Sequence, residues 1–193
     1  RSRSLAISAS RKLIESTLLI LLLLSIAQAG GGRYLMQRKL WMDEVHSWLL
    51  IQEPSTQRSL QALADGVDYN PPTYLILARQ LRFLPGGITE FSLRWLSLSL
   101  MMLAIAGIFI LLRRRFPFLV CLASVLMLAS SVHLIHQASE IRFYPLWCAA
   151  CVWLCVALDV HTIKERWFVV LSNCAAVLLA AVMATTHYFG ILT

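Results

Sequence analysis

Two adjacent carboxylates, Asp43 and Glu44, follow an apolar run and share a stretch with His46, Asp65 and Asp68. On a helix, neighbouring side chains point about 100° apart. One of the pair can therefore face a cavity while the other holds the scaffold. A carboxylate at a membrane edge is suited to taking a proton from a hydroxyl or amine, the work of a general base. The plainer alternative is a helix N-terminus that favours Asp and Glu and does no chemistry. Further on, Ser139-Glu140-Ile141-Arg142-Phe143-Tyr144 sets an acid, a guanidinium and a phenol between two apolar runs. Charge there is costly unless it is paired or used. His136 and Glu140 are four residues apart, so a continuing helix would give them one face, either as two ligands for a divalent ion or bonded to water. Tyr144 also fits an interfacial aromatic belt, and His187-Tyr188 closes a later apolar run.

The elements that must position these groups are apolar. Of the 193 residues, 59% are hydrophobic and 14% charged, with a mean hydropathy of +0.70. A soluble domain carries about 25% charged residues. Runs near the roughly 20 residues needed to cross hydrocarbon occur at 13–29, 95–112, 116–135, 145–159 and 167–186. Arg1, Arg3, Arg11 and Lys12 precede the first run, and Arg113-Arg114-Arg115 ends the second. Basic residues mark cytoplasmic ends, so the N-terminus lies inside and the loop at about 30–94 outside. That loop is expected to hold short interfacial helices over 43–52, 57–64 and 71–84, the first with an apolar stripe of Val45, Trp48, Leu49 and Leu50. The expected fold is all-α, a polytopic transmembrane helix bundle with interfacial helices in the first outside loop.

The net charge of +7 sits at the ends of apolar runs and forms no basic stripe on a polar segment, which argues against a nucleic-acid partner. All five cysteines fall within apolar runs. A disulfide framework is not expected, and Cys148, Cys151 and Cys155 on one helical face read as packing residues rather than metal ligands. Ala27-Gln28-Ala29-Gly30 resembles a signal-peptidase site, and a cleaved signal or a retained span gives the same orientation.

At these residues the chain resembles the GT-C superfamily of polytopic membrane glycosyltransferases, and within it the branch of protein O-mannosyltransferases and lipid A aminoarabinose transferases. Trp41-Met42-Asp43-Glu44 is similar to that family's acidic pair after its first helix, and Asn70-Pro71-Pro72-Thr73-Tyr74 to its His-Pro-Pro-Leu motif. Arg94 with Arg113-Arg114-Arg115-Phe116 resembles the next helix and its basic end. Ser139 to Tyr144 resembles a Gln-Glu-Ala-Arg-Met-Tyr segment, and Thr186-His187-Tyr188-Phe189 the outer end of a later helix. The resemblance implies a retained first span and an inverting sugar transfer on the non-cytoplasmic face, most naturally of a bacterial plasma membrane. The donor would be a polyprenyl-phosphate-linked sugar and the acceptor a lipid, glycan or protein. It implies Asp43 as base, with Glu44 orienting the loop or sharing the acceptor. Arg142 would pair with phosphate, and Asn70, Glu140, Tyr144 and His187 would line the site, with or without a divalent metal ion. Asn70 stands where the family has His. Members of the family have more helices, so the chain is expected to be the N-terminal part of such a domain. A non-catalytic membrane scaffold is the main competing expectation, and a transporter the next, since transporters place polar groups and helix breaks at mid-bilayer.

Overall fold

The computed structural model describes residues 38–68, 70–159 and 166–187, together with Glu15. The expected first span at 13–29 otherwise lies outside the described residues. Among those residues the chain is helical, with no strand. From residue 38 onward come first the short helices α1 (Met42–Gln52), α2 (Thr56–Ala64) and α3 (Thr73–Arg79), the last running into a 3-10 turn at Gln80–Phe83. The longer elements follow as α4 (Glu90–Arg113), α5 (Phe118–Ala129), α6 (Val132–Ser139), α7 (Tyr144–Asp159) and α8 (Arg166–Thr186).

Local chemistry sets the boundaries. Gly86 and Gly87 take φ of 90° and 64°, a left-handed turn that suits glycine and ends the segment before α4. Thr89 and Ser92 then close a reciprocal cap: Thr89 Oγ1 accepts from Ser92 N at 3.0 Å, and Ser92 Oγ from Thr89 N at 2.9 Å. In α2, Ser55 Oγ accepts from Arg58 N at 3.3 Å. Trp41, before α1, has no side-chain acceptor, and the Glu44 carboxylate takes the Trp41 N–H instead at 2.9 Å.

Among the described residues, two helices, Glu90–Arg113 and the Val169–Thr186 part of α8, are long and apolar enough to cross a membrane. At 1.5 Å per residue, α4 is about 36 Å long, against a hydrocarbon core of about 30 Å. The run expected to be one span at 116–135 is instead a bent pair, α5 and α6, turning by 65°. Counted as one, that pair makes a third candidate. The bend falls at Ser130-Ser131, where Ser130 Oγ donates back to Met127 O at 2.9 Å. Serine bonding of this kind competes with the helix ladder and bends it. The helix at the expected fourth span, α7, has 16 residues, short of a full crossing.

Helix α7 lies between α4 and α8, while α5 and α6 pack on α4, α1 on α3, and α3 on the end of α8. The α4–α7 contact is close because Gly107 has no side chain: a Cβ there would stand 2.6 Å from Val152 Cγ1. Trp153 Nε1 donates across the same contact to Leu103 O at 3.0 Å. Small residues let apolar helices approach where lipid offers no competing loss. Two cores result. Leu98, Met101, Ile105, Cys121 and Val125 join α4 to α5, and Ile51, Tyr74, Leu93, Ile141 and Phe143 join α1, α3, α4 and the segment before α7. At the far end of α4, Arg113 pairs with Glu15 at 3.0 Å, and Arg114 and Arg115 both reach Asp159.

Gly107→Leu is expected to destabilise the chain by about 1–3 kcal/mol through overpacking, read as a lower melting midpoint in detergent. Adding Val152→Ala, which makes room, should return part of that loss, whereas two independent losses would reject the close approach as the cause.

Candidate functional site

Asp43 and Glu44 occupy the first turn of α1, and their side chains diverge in surroundings as well as direction. Glu44 turns inward and is 1% exposed. Its Oε1 accepts from Ile141 N at 2.9 Å and lies 3.5 Å from Arg94 Nη1. Its Oε2 takes the Trp41 N–H and lies 3.6 Å from Arg38 Nη2. Arg94, 2% exposed at the head of α4, also donates to Ser139 O at 2.7 Å and to Arg38 O at 3.2 Å. Arg94 Nε has no hydrogen-bond partner among the described residues. The inward face of α1 is thus Glu44, Ser47, Leu50 and Ile51, while Val45 and Leu49 of the expected apolar stripe stay exposed. A carboxylate needing guanidinium partners outranks a Val or Leu in deciding which face turns in, because unpaired burial of charge costs far more.

The bond from Ile141 N to Glu44 brings together the residue before Glu44 and the residue after Ile141. Arg142 Nη2 lies 3.6 Å from Asp43 Oδ2, and Nη1 donates to Asp43 O at 3.3 Å. Asp43 is 60% exposed and open to an incoming group, whereas Arg142 is 11% exposed. The guanidinium lies 5.7 Å from the Phe143 ring centre and 5.9 Å from that of Tyr144, where cation–π attraction holds it in place. His187, at the end of α8, stacks on Phe143 with ring centres 4.7 Å apart. Thr73 Oγ1 donates to Thr185 O at 2.7 Å and ties α3 to the same end. Asn70 bonds to Asp68, its Nδ2 donating to Oδ1 at 2.6 Å. Tyr74 is buried against Ser97, with 3.2 Å between the hydroxyls. Burial, with the Glu44 charge adding to it and the Ser97 bond opposing, pushes its phenol well above the usual tyrosine range, so it stays neutral.

Among the residues singled out from sequence, Asp43, Asn70, Arg142, Tyr144 and His187 therefore gather at one end of α4, α7 and α8, with Glu44 beneath them. Glu140 belongs to an adjoining cluster: its Oε1 lies 2.9 Å from His136 Nδ1 and 3.4 Å from Arg38 Nη2. The His136–Glu140 pair does not fit a divalent cation. It supplies two donors with a guanidinium on the same carboxylate, and no group of three or more His, Cys, Asp and Glu suited to a metal occurs among the described residues. The five cysteines are unpaired thiols. Arg38 and Arg94 carry the site and were not singled out for it. An arginine inside the leading edge of an apolar run was the available signal for Arg94, since burial there demands a partner.

Replacing Glu44 by Ala leaves Arg94 buried and short of its anion, so a loss of about 3–5 kcal/mol is expected. Asp43→Ala, which alters a solvent-facing pair, should cost about 1 kcal/mol or less. Melting midpoints of the two variants check this, and equal losses would contradict the burial argument. Comparison of the chain with protein-family models, with curated proteins and with solved structures finds no match.

Proposed function

We propose that this protein is a membrane glycosyltransferase that moves a sugar from a polyprenyl-phosphate carrier to an acceptor on the non-cytoplasmic face. In this reading the apolar helices form part of a multi-pass bundle in a bacterial plasma membrane, and α1 to α3 lie at its outer interface. The observation that carries the proposal is the solvent-open Asp43 carboxylate held beside the near-enclosed Arg142 guanidinium at one end of apolar helices. A base and a phosphate partner are what an inverting transfer from a phosphate leaving group requires. The resemblance of the Asp43-Glu44, Asn70-Pro71-Pro72 and Ser139–Tyr144 segments to the GT-C transferases supports it further.

The step balances simply. Asp43 takes the acceptor's O–H or N–H proton as the acceptor lone pair attacks the anomeric carbon. The carbon–oxygen bond to phosphate breaks on the opposite face, and its electron pair leaves with the polyprenyl phosphate. The anomeric configuration inverts, and Asp43 returns the proton to water. Arg142 stabilises the departing phosphate by charge-assisted hydrogen bonds. Glu44, saturated by its partners, orients the loop and takes no part in proton transfer. Tyr144 and His187 line the sugar side.

One observation favours a second reading. The break between α5 and α6 resembles the interrupted helices by which transporters build ion sites, although the groups beside it, Ser130 and Ser131, are uncharged.

Sugar transfer from polyprenyl-phosphate donors, assayed with the protein in native membranes, tests the proposal. Asp43→Asn is expected to lower kcat by about 100-fold or more, the usual worth of a general base. Full activity in Asp43→Asn rejects the base assignment. No transfer with any donor by the folded wild type rejects the enzyme in favour of a scaffold or transporter.

A further inference from the structure

Asp68 stands 25 residues beyond Asp43 in the chain, yet it is the second carboxylate on the Arg142 guanidinium. Its Oδ2 lies 3.8 Å from Arg142 Nη1 and accepts from Ser47 Oγ at 3.4 Å. Its Oδ1 accepts from the Asn70 side-chain amide at 2.6 Å and from Asn70 N at 3.3 Å. Three donors from two segments thus fix this carboxylate, and Ser47 belongs to the inward face of α1, one turn beyond Asp43. Asp68 is 12% exposed and Arg142 11%, against 60% for Asp43.

The two carboxylates therefore hold Arg142 differently. A guanidinium offers separate donors in a rigid fork. Here Nη1 donates to the Asp43 backbone O at 3.3 Å and faces the enclosed, anchored Asp68 carboxylate at 3.8 Å, while Nη2 faces the open Asp43 carboxylate at 3.6 Å. A pair in contact with water is weakly held and exchanges readily, whereas one shielded from water is screened much less. We infer that Asp68 is a positioning residue for Arg142. With the Asp43 carbonyl it retains the Nη1 end of the guanidinium, so that the Nη2 end can pass from the Asp43 carboxylate to an incoming phosphate. That exchange supplies the leaving group's partner and frees the Asp43 oxygen to take the acceptor's proton. Asn70 is part of the same device, because its amide anchors Asp68. The inference rests on the transferase reading of Asp43 and Arg142.

The test is steady-state transfer by wild type, Asp68→Asn, Asp68→Glu and Asn70→Ala, with binding of a short-chain polyprenyl phosphate measured in nanodiscs. Asp68→Asn should raise the donor KM about tenfold or more, the worth of one charge-assisted contact. Its kcat at saturating donor should fall as well, because Arg142 also stabilises the departing phosphate. Asp68→Glu should recover part of the loss, and Asn70→Ala, which keeps the charge and removes an anchor, should raise donor KM less than Asp68→Asn does. If Asp68→Asn fails to fold, the Asn70→Ala result decides. A wild type that transfers sugar and binds polyprenyl phosphate, with donor KM unmoved in the folded variants, overturns this inference alone. A wild type that does neither overturns the transferase reading and the inference with it.

Discussion

The Glu44 carboxylate is out of water, and the arrangement around it follows from that. An ionised carboxylate buried without answer would cost several kcal/mol even after relaxation. Glu44 is answered by two guanidiniums, Arg94 and Arg38, and by two backbone N–H groups, those of Trp41 and Ile141. These come from the segment before α1, the head of α4 and the connection between α6 and α7. A single side chain thus determines how three separated pieces of chain meet. Net stabilisation by such a group is not guaranteed, since a well-packed apolar replacement can match it. What it does supply is a unique register, because shifting any of the three pieces would strand a buried charge.

That register is what the surface groups inherit. Asp43 follows Glu44's placement, and Arg142 follows Ile141's, so the exposed carboxylate and the sheltered guanidinium meet without a strong bond of their own. The aromatic side chains Phe143, Tyr144 and His187 extend the same end of the molecule. The opposite end of α4 holds a different set of charges, Arg113 to Arg115 with Glu15 and Asp159. Charge is thereby confined to the two ends of the long apolar helices, with an uncharged stretch from Trp95 to Leu112 between them.

Much of this was legible in the residues, and the limits have physical causes. Hydropathy and the basic cluster at Arg113 marked the run that becomes α4, hydropathy marked that of α8, and the stretches 43–52, 57–64 and 71–84 expected as short helices are helical over Met42–Gln52, Thr56–Ala64 and Thr73–Arg79. The bend at Ser130-Ser131 was hidden, because hydropathy registers no serine pair inside an apolar run. The 100° offset between Asp43 and Glu44 made divided roles foreseeable, but not which residue would turn inward. That choice depends on Arg94 and on Ile141, the latter 97 residues away. Arg94 stood in the sequence only as part of the resemblance to the family's next helix, and nothing in the sequence pointed to Arg38. Asp68 was visible as an acid in the loop, while its hold on Arg142 exists only once α1 and the segment before α7 are packed together.

The central claim is that Glu44 and Arg94 act as one unit holding these segments in register, and a double-mutant cycle on stability tests it most directly. Glu44→Gln, Arg94→Met and the pair would be compared by equilibrium unfolding in detergent. The account predicts that the double variant loses far less than the sum of the singles, with a coupling of about 1–3 kcal/mol, as for residues sharing a buried network. Additive losses would mean that the two side chains do not depend on each other, and would contradict the account.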